Sequence, residues 1–343
     1  MDRVTVIGSI SSSPFIESDV NLLKKLCNVY TVDIDSSLAK TTSARIFQYL
    51  RIGSTILFNA CPKILLSDSV FIWFADVHAV IPILLCKILR KNCVISIGGF
   101  EVCNMPDINY GMMREPIGIR GKLCKWVMRN ASTCIVPSQS YYDRTLPYVS
   151  SEEKIYKIPD CVTCDIPLTL RFYNKRRKVV LMVGQATESS YLLKGIPYYN
   201  EAANQMHDTT FYLIGRYDEN IKSKYKNICY LGALSHEEVF YWMDMTKVYC
   251  QLSKTESFGV SVLEAMSHGC IPVVTNVDNI QLLTGGHGYV VDDKYPMTII
   301  EGIQSALSDS CFELHMKISH DTMGRIKTFC KIREYGFKEL FGL

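Results

Sequence analysis

No stretch of this chain is both long enough and apolar enough to be read as a membrane span. The best imitation, VFIWFADVHAVIPILLCKIL at residues 70–89, is broken by Asp76 and His78, and Pro82 follows. A buried strand, a loop and a core helix account for it better. Nor is there an excess of one charge: 37 Lys and Arg stand against 34 Asp and Glu, a net +3. That balance argues against a nucleic-acid partner, which calls for a basic stripe. The 14 cysteines form no compact framework, and many, such as Cys86, Cys93, Cys134, Cys250 and Cys270, sit in apolar runs. They read as reduced, core-filling thiols in a cytoplasmic compartment. Cys161-x-x-Cys164 stands alone, with no partner pair, so it receives no redox or metal role. Asn130-Ala131-Ser132 fits a glycosylation sequon, which has no consequence in the cytoplasm. The first loop, GSISSSPF, holds only Gly8 and no Gly-x-Gly-x-x-Gly, which argues against a dinucleotide-dependent dehydrogenase. There is no internal repeat and no low-complexity tract. MDRVTVIGSI runs directly into a strand pattern, so no cleaved leader is expected.

What the chain does have is alternation. At 343 residues it is long for one core and suits two domains. Short Val- and Ile-rich runs at 4–10, 29–35, 70–75, 93–99, 132–138 and 154–159 alternate with helical patterns such as 19–27, 79–90 and 117–130. Runs at 178–185, 209–215, 227–232, 248–253 and 271–276 restart the same pattern, and the tail from about 298 is helical. Strands apolar on both faces, separated by helices, mean parallel sheets covered on both sides. The expected fold is α/β, with two doubly wound, Rossmann-like domains facing across a cleft. The polar stretch IPLTLRFYNKRRK, 166–178, reads as the link, and its basic cluster as a solvated face. Ligands of such sheets bind beyond the carboxyl ends of the strands.

One such end carries TESFGVSVLEAMSHGCIPVV, residues 255–274. Glu256 precedes a helical pattern and Glu264 lies one to two turns inside it. A helix N-terminus attracts a phosphate, and Gly259 lets the backbone approach closely. Two carboxylates flanking a diphosphate suit the hydroxyls of the two sugars on either side of it. The plainer reading is a helix start that merely favours acidic residues.

The stretch resembles the Glu-x7-Glu signature of retaining glycosyltransferases, glycosyltransferase family 4 (group 1), which have the GT-B fold. Ser253, Glu256, Phe258-Gly259, Glu264-Ala265-Met266, Gly269 and Pro272-Val273-Val274 carry the likeness. MVGQ…LKGI, YLGALSHEEV at 230–239 and GGHGYVVDD at 285–293 extend it, the last resembling a loop. The resemblance implies a hexose moved from a UDP- or GDP-sugar to an acceptor hydroxyl on a glycan, lipid or other molecule. It implies no cofactor, no metal and retained configuration. Glu264 would hold the ribose and Glu256 the transferred sugar, and Lys194 would neutralise the leaving diphosphate. Ser257, Phe258 and Gly259 would line the donor site, with Leu234 beside the base. It further implies a donor domain at 166–325 and an acceptor domain at 1–165, with the last helix, about 326–343, packed back on the latter.

The chain departs from the pattern in three places. Gln185 stands where an Arg is common, and Arg216 is the candidate substitute. Gly98-Gly99-Phe100-Glu101 replaces a common His, leaving Gly98, Gly99 and Glu101 as acceptor-side candidates together with His78. Gln281 occupies a position where a Glu is usual. Alternatives on the same fold are a nucleotide-sugar epimerase or hydrolase, or a catalytically weak nucleotide-sugar binder. Asp33-Ile34-Asp35 reads as structural. RGKLCKWVMRN, 120–130, is basic and amphipathic; it reads as a surface helix, with peripheral membrane contact as the other expectation.

Overall fold

The computed structural model describes residues 2–34, 42–160, 162, 177–292 and 295–343. Asp35, Cys161, Cys164 and nearly all of the expected link lie outside them. The chain forms two compact units, Met1–Cys161 with Phe329–Leu343, and Val162–Thr328.

The first unit is built on β1 (Arg3–Gly8), β2 (Asn28–Asp33), β3 (Ser69–Trp73), β4 (Asn92–Ser96), β5 (Thr133–Val136) and β6 (Ile155–Lys157). They form one parallel sheet in the order β2-β1-β3-β4-β5-β6. β3 is buried along its whole length because both faces are covered. Its side chains alternate, with Val70 and Ile72 entering one core and Phe71 and Trp73 the other. The first core is closed by α2 (Thr42–Thr55), a π-helical turn at Ile56–Ala60, α3 (Cys61–Leu66), α4 (Val80–Leu89) and α5 (Ile119–Asn130). The sequence pattern does not single out a helix over 42–66, because apolar side chains on its outer side blur the helical period. α6 (Gln139–Thr145) follows β5.

The second core holds α1 (Pro14–Leu26) and the end of the last helix, α12 (Phe312–Phe341). Phe337 and Phe341 pack edge-on against Phe71, with ring centroids 5.4 and 5.8 Å away. Beside them Arg333 is buried, its Nε 2.5 Å from Asp19 Oδ1 and its Nη1 3.2 Å from Asp160 Oδ1.

The second unit has β7 (Arg177–Val183), α7 (Ile196–Gln205), β8 (Thr210–Ile214), β9 (Ile228–Gly232), α8 (His236–Met245), β10 (Thr246–Gln251) and α9 (Val260–Ser267). β11 (Ile271–Thr275), α10 (Ile280–Thr284), β12 (Tyr289–Val291) and α11 (Pro296–Ser308) complete it. The parallel order is β12-β11-β10-β7-β8-β9, so chain order reverses between β7 and β10. That reversal opens a crevice at the strand ends. The stretch 285–293, expected as a loop, contributes β12, whose Val290 pairs with Val274. Three residues on a sheet edge are too few to show a period.

The cysteine reading needs one correction. Cys86, Cys93, Cys134, Cys250 and Cys270 are free, but Cys330 is disulfide-bonded. Pairing depends on proximity in space, which spacing along the chain does not report. Among the described residues no helix is long and apolar enough to cross a membrane.

Candidate functional site

The loops leaving β7 and β10 meet at the point of strand reversal. Gly195 has φ +67° and packs backbone to backbone on the chain after β10; a Cβ there would stand 2.0 Å from the Leu252 carbonyl oxygen. Only glycine meets both demands. Lys254 N–H donates to the Leu193 carbonyl at 2.8 Å, tying the two loops together. Lys194 is thereby aimed at the β10 loop, and its Nζ lies 2.5 Å from Glu256 Oε1.

Glu256 is held by a directed relay. Tyr249, Gln251 and Ser253 alternate along β10 and its extension. The Tyr249 hydroxyl donates to Gln251 Oε1 at 2.8 Å. Gln251 Nε2 donates to Ser253 Oγ at 2.8 Å and to Glu256 Oε1 at 2.7 Å, and Ser253 Oγ donates to the same oxygen at 2.6 Å. Burial raises the Tyr249 phenol well above its ordinary range, which keeps it a donor. From the other side Asp278 Oδ2 accepts the Glu256 N–H at 2.8 Å and the Thr255 hydroxyl at 2.6 Å. Both the carboxylate and the backbone of Glu256 are fixed.

Gly259 starts α9 at φ +94°, where a Cβ would meet Ile280 Cδ1 at 2.4 Å. The first turn of α9 carries no acid. Glu264 is therefore not an N-terminal ornament of the helix: it sits deeper, buried, with Oε1 2.9 Å from His236 Nε2. His236 opens α8 behind a Ser235–Glu238 capping box and packs against Phe240, ring centroids 4.2 Å apart and planes tilted by 41°. The Glu264 hydrogen bond raises the His236 pKa above its ordinary 6.5, against the pull of burial.

The remaining donor-side residues fall around this pair. The Ala186 N–H donates to the Arg216 carbonyl at 2.8 Å, which sets Arg216 beside the residue after Gln185; both side chains are exposed. Ser257 is half-buried, and Phe258 belongs to the core. Leu234 is half-buried in the loop before α8.

The acceptor-side candidates belong to the first unit. Glu101 points inward at 3% exposure, its Oε1 accepting from Gly98 N–H at 3.0 Å and its Oε2 from Gly99 N–H at 2.7 Å. These groups are engaged with one another, not presented to a sugar. His78 Nε2 meets the Trp73 carbonyl at 3.0 Å, and burial lowers its pKa. Asp33 accepts the Ile10 N–H at 2.7 Å, a structural cap on the first loop.

Sequence reasoning did not assign Gln251, His236 or Asp278. The polar alternation Tyr249, Gln251, Ser253 in an otherwise apolar strand was a usable signal. The pairing of Glu264 with a residue 28 positions earlier was not.

Residues 177–309 match the family model described as glycosyl transferases group 1. No curated protein sequence matches the chain. Solved structures do. HepE of Anabaena, crystallised with UDP and glucose, has a TM-score of 0.70 at 12% identity, with all of both chains covered. Sucrose-phosphate synthase of Thermosynechococcus elongatus has 0.70 at 15%, covering 99% of this chain and 98% of that one. The UDP-forming α,α-trehalose-phosphate synthase of Burkholderia vietnamiensis has 0.71 at 10%, covering 99% of each. Likeness at these identities shows the fold, and the matched segment holds Lys194, Glu256 and Glu264. The chain thus has two parallel sheets of the GT-B kind, and its segment 177–309 is similar to the group 1 glycosyltransferases.

Proposed function

We propose that the protein transfers a hexose from a UDP- or GDP-sugar to an acceptor hydroxyl, retaining the anomeric configuration and needing no divalent metal. The observation that carries this reading is the Lys194–Glu256 pair at the strand reversal, with Glu264 on the helix that follows. Lys194 leaves Glu256 for the diphosphate as the donor enters, and α9 adds the positive end of its dipole. Arg216 supplies the cation that Gln185 lacks. Glu256, freed of the lysine but still held by Gln251 and Ser253, faces the sugar. Glu264 takes the ribose hydroxyls. HepE, of the same fold, is known with UDP-glucose, which favours UDP for the first test. Gln185 supports one second reading, a nucleotide-sugar binder of weak turnover.

Thermal shift with UDP, GDP, ADP, CMP and their sugar conjugates separates the donors; ligand at about 100 times its Kd stabilises by roughly 2.7 kcal/mol. Donor consumption with a retained-configuration product then separates transferase from binder. Glu264→Ala is expected to weaken nucleotide binding roughly tenfold or more, since a charged hydrogen bond is worth about 1.5–3 kcal/mol. Glu256→Ala lowers turnover and keeps nucleotide affinity. Negligible effects of both changes reject the assignment.

A pH dependence follows from His236. Its pKa is raised in the folded protein, so the bond to Glu264 is complete below about 6.5, the ordinary histidine value, and is lost as pH rises through the folded value. With His236 competing for the carboxylate that takes the ribose, nucleotide affinity rises with pH across that window. Calorimetric titration at successive pH values should show the rise in the wild type and a flat profile in His236→Asn. A wild-type profile as flat as the variant's removes His236 from the site.

A further inference from the structure

We propose that the helix layer formed by residues 42–66, α4 and α5 in the first unit docks on an anionic lipid bilayer. The three helical segments cover one core: Ile56 and Ile64, Ile83 and Cys86, and Cys124 and Val127 all enter it. α4 packs against both α3 and α5. Their opposite sides therefore form one outer surface. That surface is apolar where a soluble helix layer is polar: Phe47, Leu50, Phe58 and Ile88 are 69, 68, 82 and 78% exposed. Leu57 and Leu84, on the same segments, are also exposed. Scattered single apolar residues are ordinary, whereas a clustered set marks a docking face.

Charge selects the occupant. Residues 42–66, 80–91 and 119–130 contain ten Lys and Arg and no Asp or Glu, in a chain whose whole-length balance is only +3. Arg51, Lys87, Arg90, Lys122 and Arg129 are exposed. A second copy of the chain would set two such positive faces against each other. An anionic bilayer satisfies both features: large apolar side chains enter the boundary between headgroups and acyl chains, and basic residues meet the headgroup charge. α5 buries Cys124, Val127 and Met128 in the core and contributes charge. The apolar anchors come from α2, the π-helical turn and α4. Nothing in this inference depends on the reaction proposed above.

The test is co-sedimentation of the full chain with vesicles of phosphatidylcholine alone and of phosphatidylcholine with phosphatidylglycerol. Partition into the anionic vesicles, weakened by salt, is expected. The double variant Leu50→Asp, Phe58→Asp should fall to background, and Arg90→Gln should lower partition roughly fivefold, one surface cation's worth. Thermal unfolding of each variant checks folding, and should the double variant misfold, the salt response and Arg90→Gln still decide. Failure to sediment with anionic vesicles, or equal sedimentation with both kinds, overturns the proposal. So does a concentration-dependent dimer that Leu50→Asp, Phe58→Asp dissolves, which would make the face a contact between copies.

Discussion

Lys194→Ala is expected to lower kcat by roughly 100- to 1000-fold, the usual cost of removing one preorganised group that meets charge developing in a transition state. The effect is large because the lysine is placed by backbone geometry. Gly195 allows its loop to lie against Leu252, and the Leu193 carbonyl anchors it to Lys254. Nothing else on that loop carries a positive charge, since the chain has Gln185 at its start. The fold should tolerate the change: Glu256 keeps Gln251 and Ser253 as donors. Initial rates of UDP-sugar consumption, with unfolding temperature as the control, check the prediction. Lys194→Arg, which keeps the charge with a different shape, should recover part of the rate. A Lys194→Ala enzyme within a few-fold of wild type would show that the diphosphate is neutralised elsewhere, with Arg216 the first place to look.

Arg333→Met should destabilise the protein by about 3–5 kcal/mol, because it strips the partner from a buried carboxylate. Arg333 and Asp19 are each 1% exposed, and the guanidinium also donates to the Pro159 carbonyl at 3.0 Å. Asp160 stands on the same guanidinium, and burial pushes its carboxyl up to about 6. Without Arg333, Asp19 retains the Trp73 indole N–H at 3.0 Å, one neutral donor for a full charge. Calorimetry should show the lower transition. Arg333→Leu combined with Asp19→Leu should recover much of the loss, since buried pairs are often replaceable by apolar groups of similar volume. A single variant within about 0.5 kcal/mol of wild type would place it with ordinary surface substitutions and dismiss the ion pair as an anchor of α12.

The two predictions differ in how far the sequence alone foretells them. The placement of Lys194 just before a helix, of Glu256 in the loop after a strand and of Glu264 inside a helix is legible, because local pattern reports such positions. The strand–helix rhythm is legible for the same reason: strands covered on both faces must be apolar at successive positions. The carboxylate of Asp19 and the guanidinium of Arg333, 314 positions apart, leave no such trace. Neither does the inward turn of Glu101, whose run Gly98-Gly99-Phe100-Glu101 reads equally well as an exposed, sugar-facing loop. His236 looks like an ordinary early-helix residue until the sheet order brings α8 beside α9.

The chain by itself therefore determined its element types, its doubling of one parallel-sheet plan and where Lys194, Glu256 and Glu264 lie relative to its strands and helices. Tertiary structure decided which charges face each other, which carboxylates are already engaged by backbone N–H groups, and which apolar side chains remain outside. Periodicity records how one element divides its own surface between core and solvent. Hydrogen-bond partners across a parallel sheet are chosen by strand order, and that order is an agreement among segments far apart in sequence.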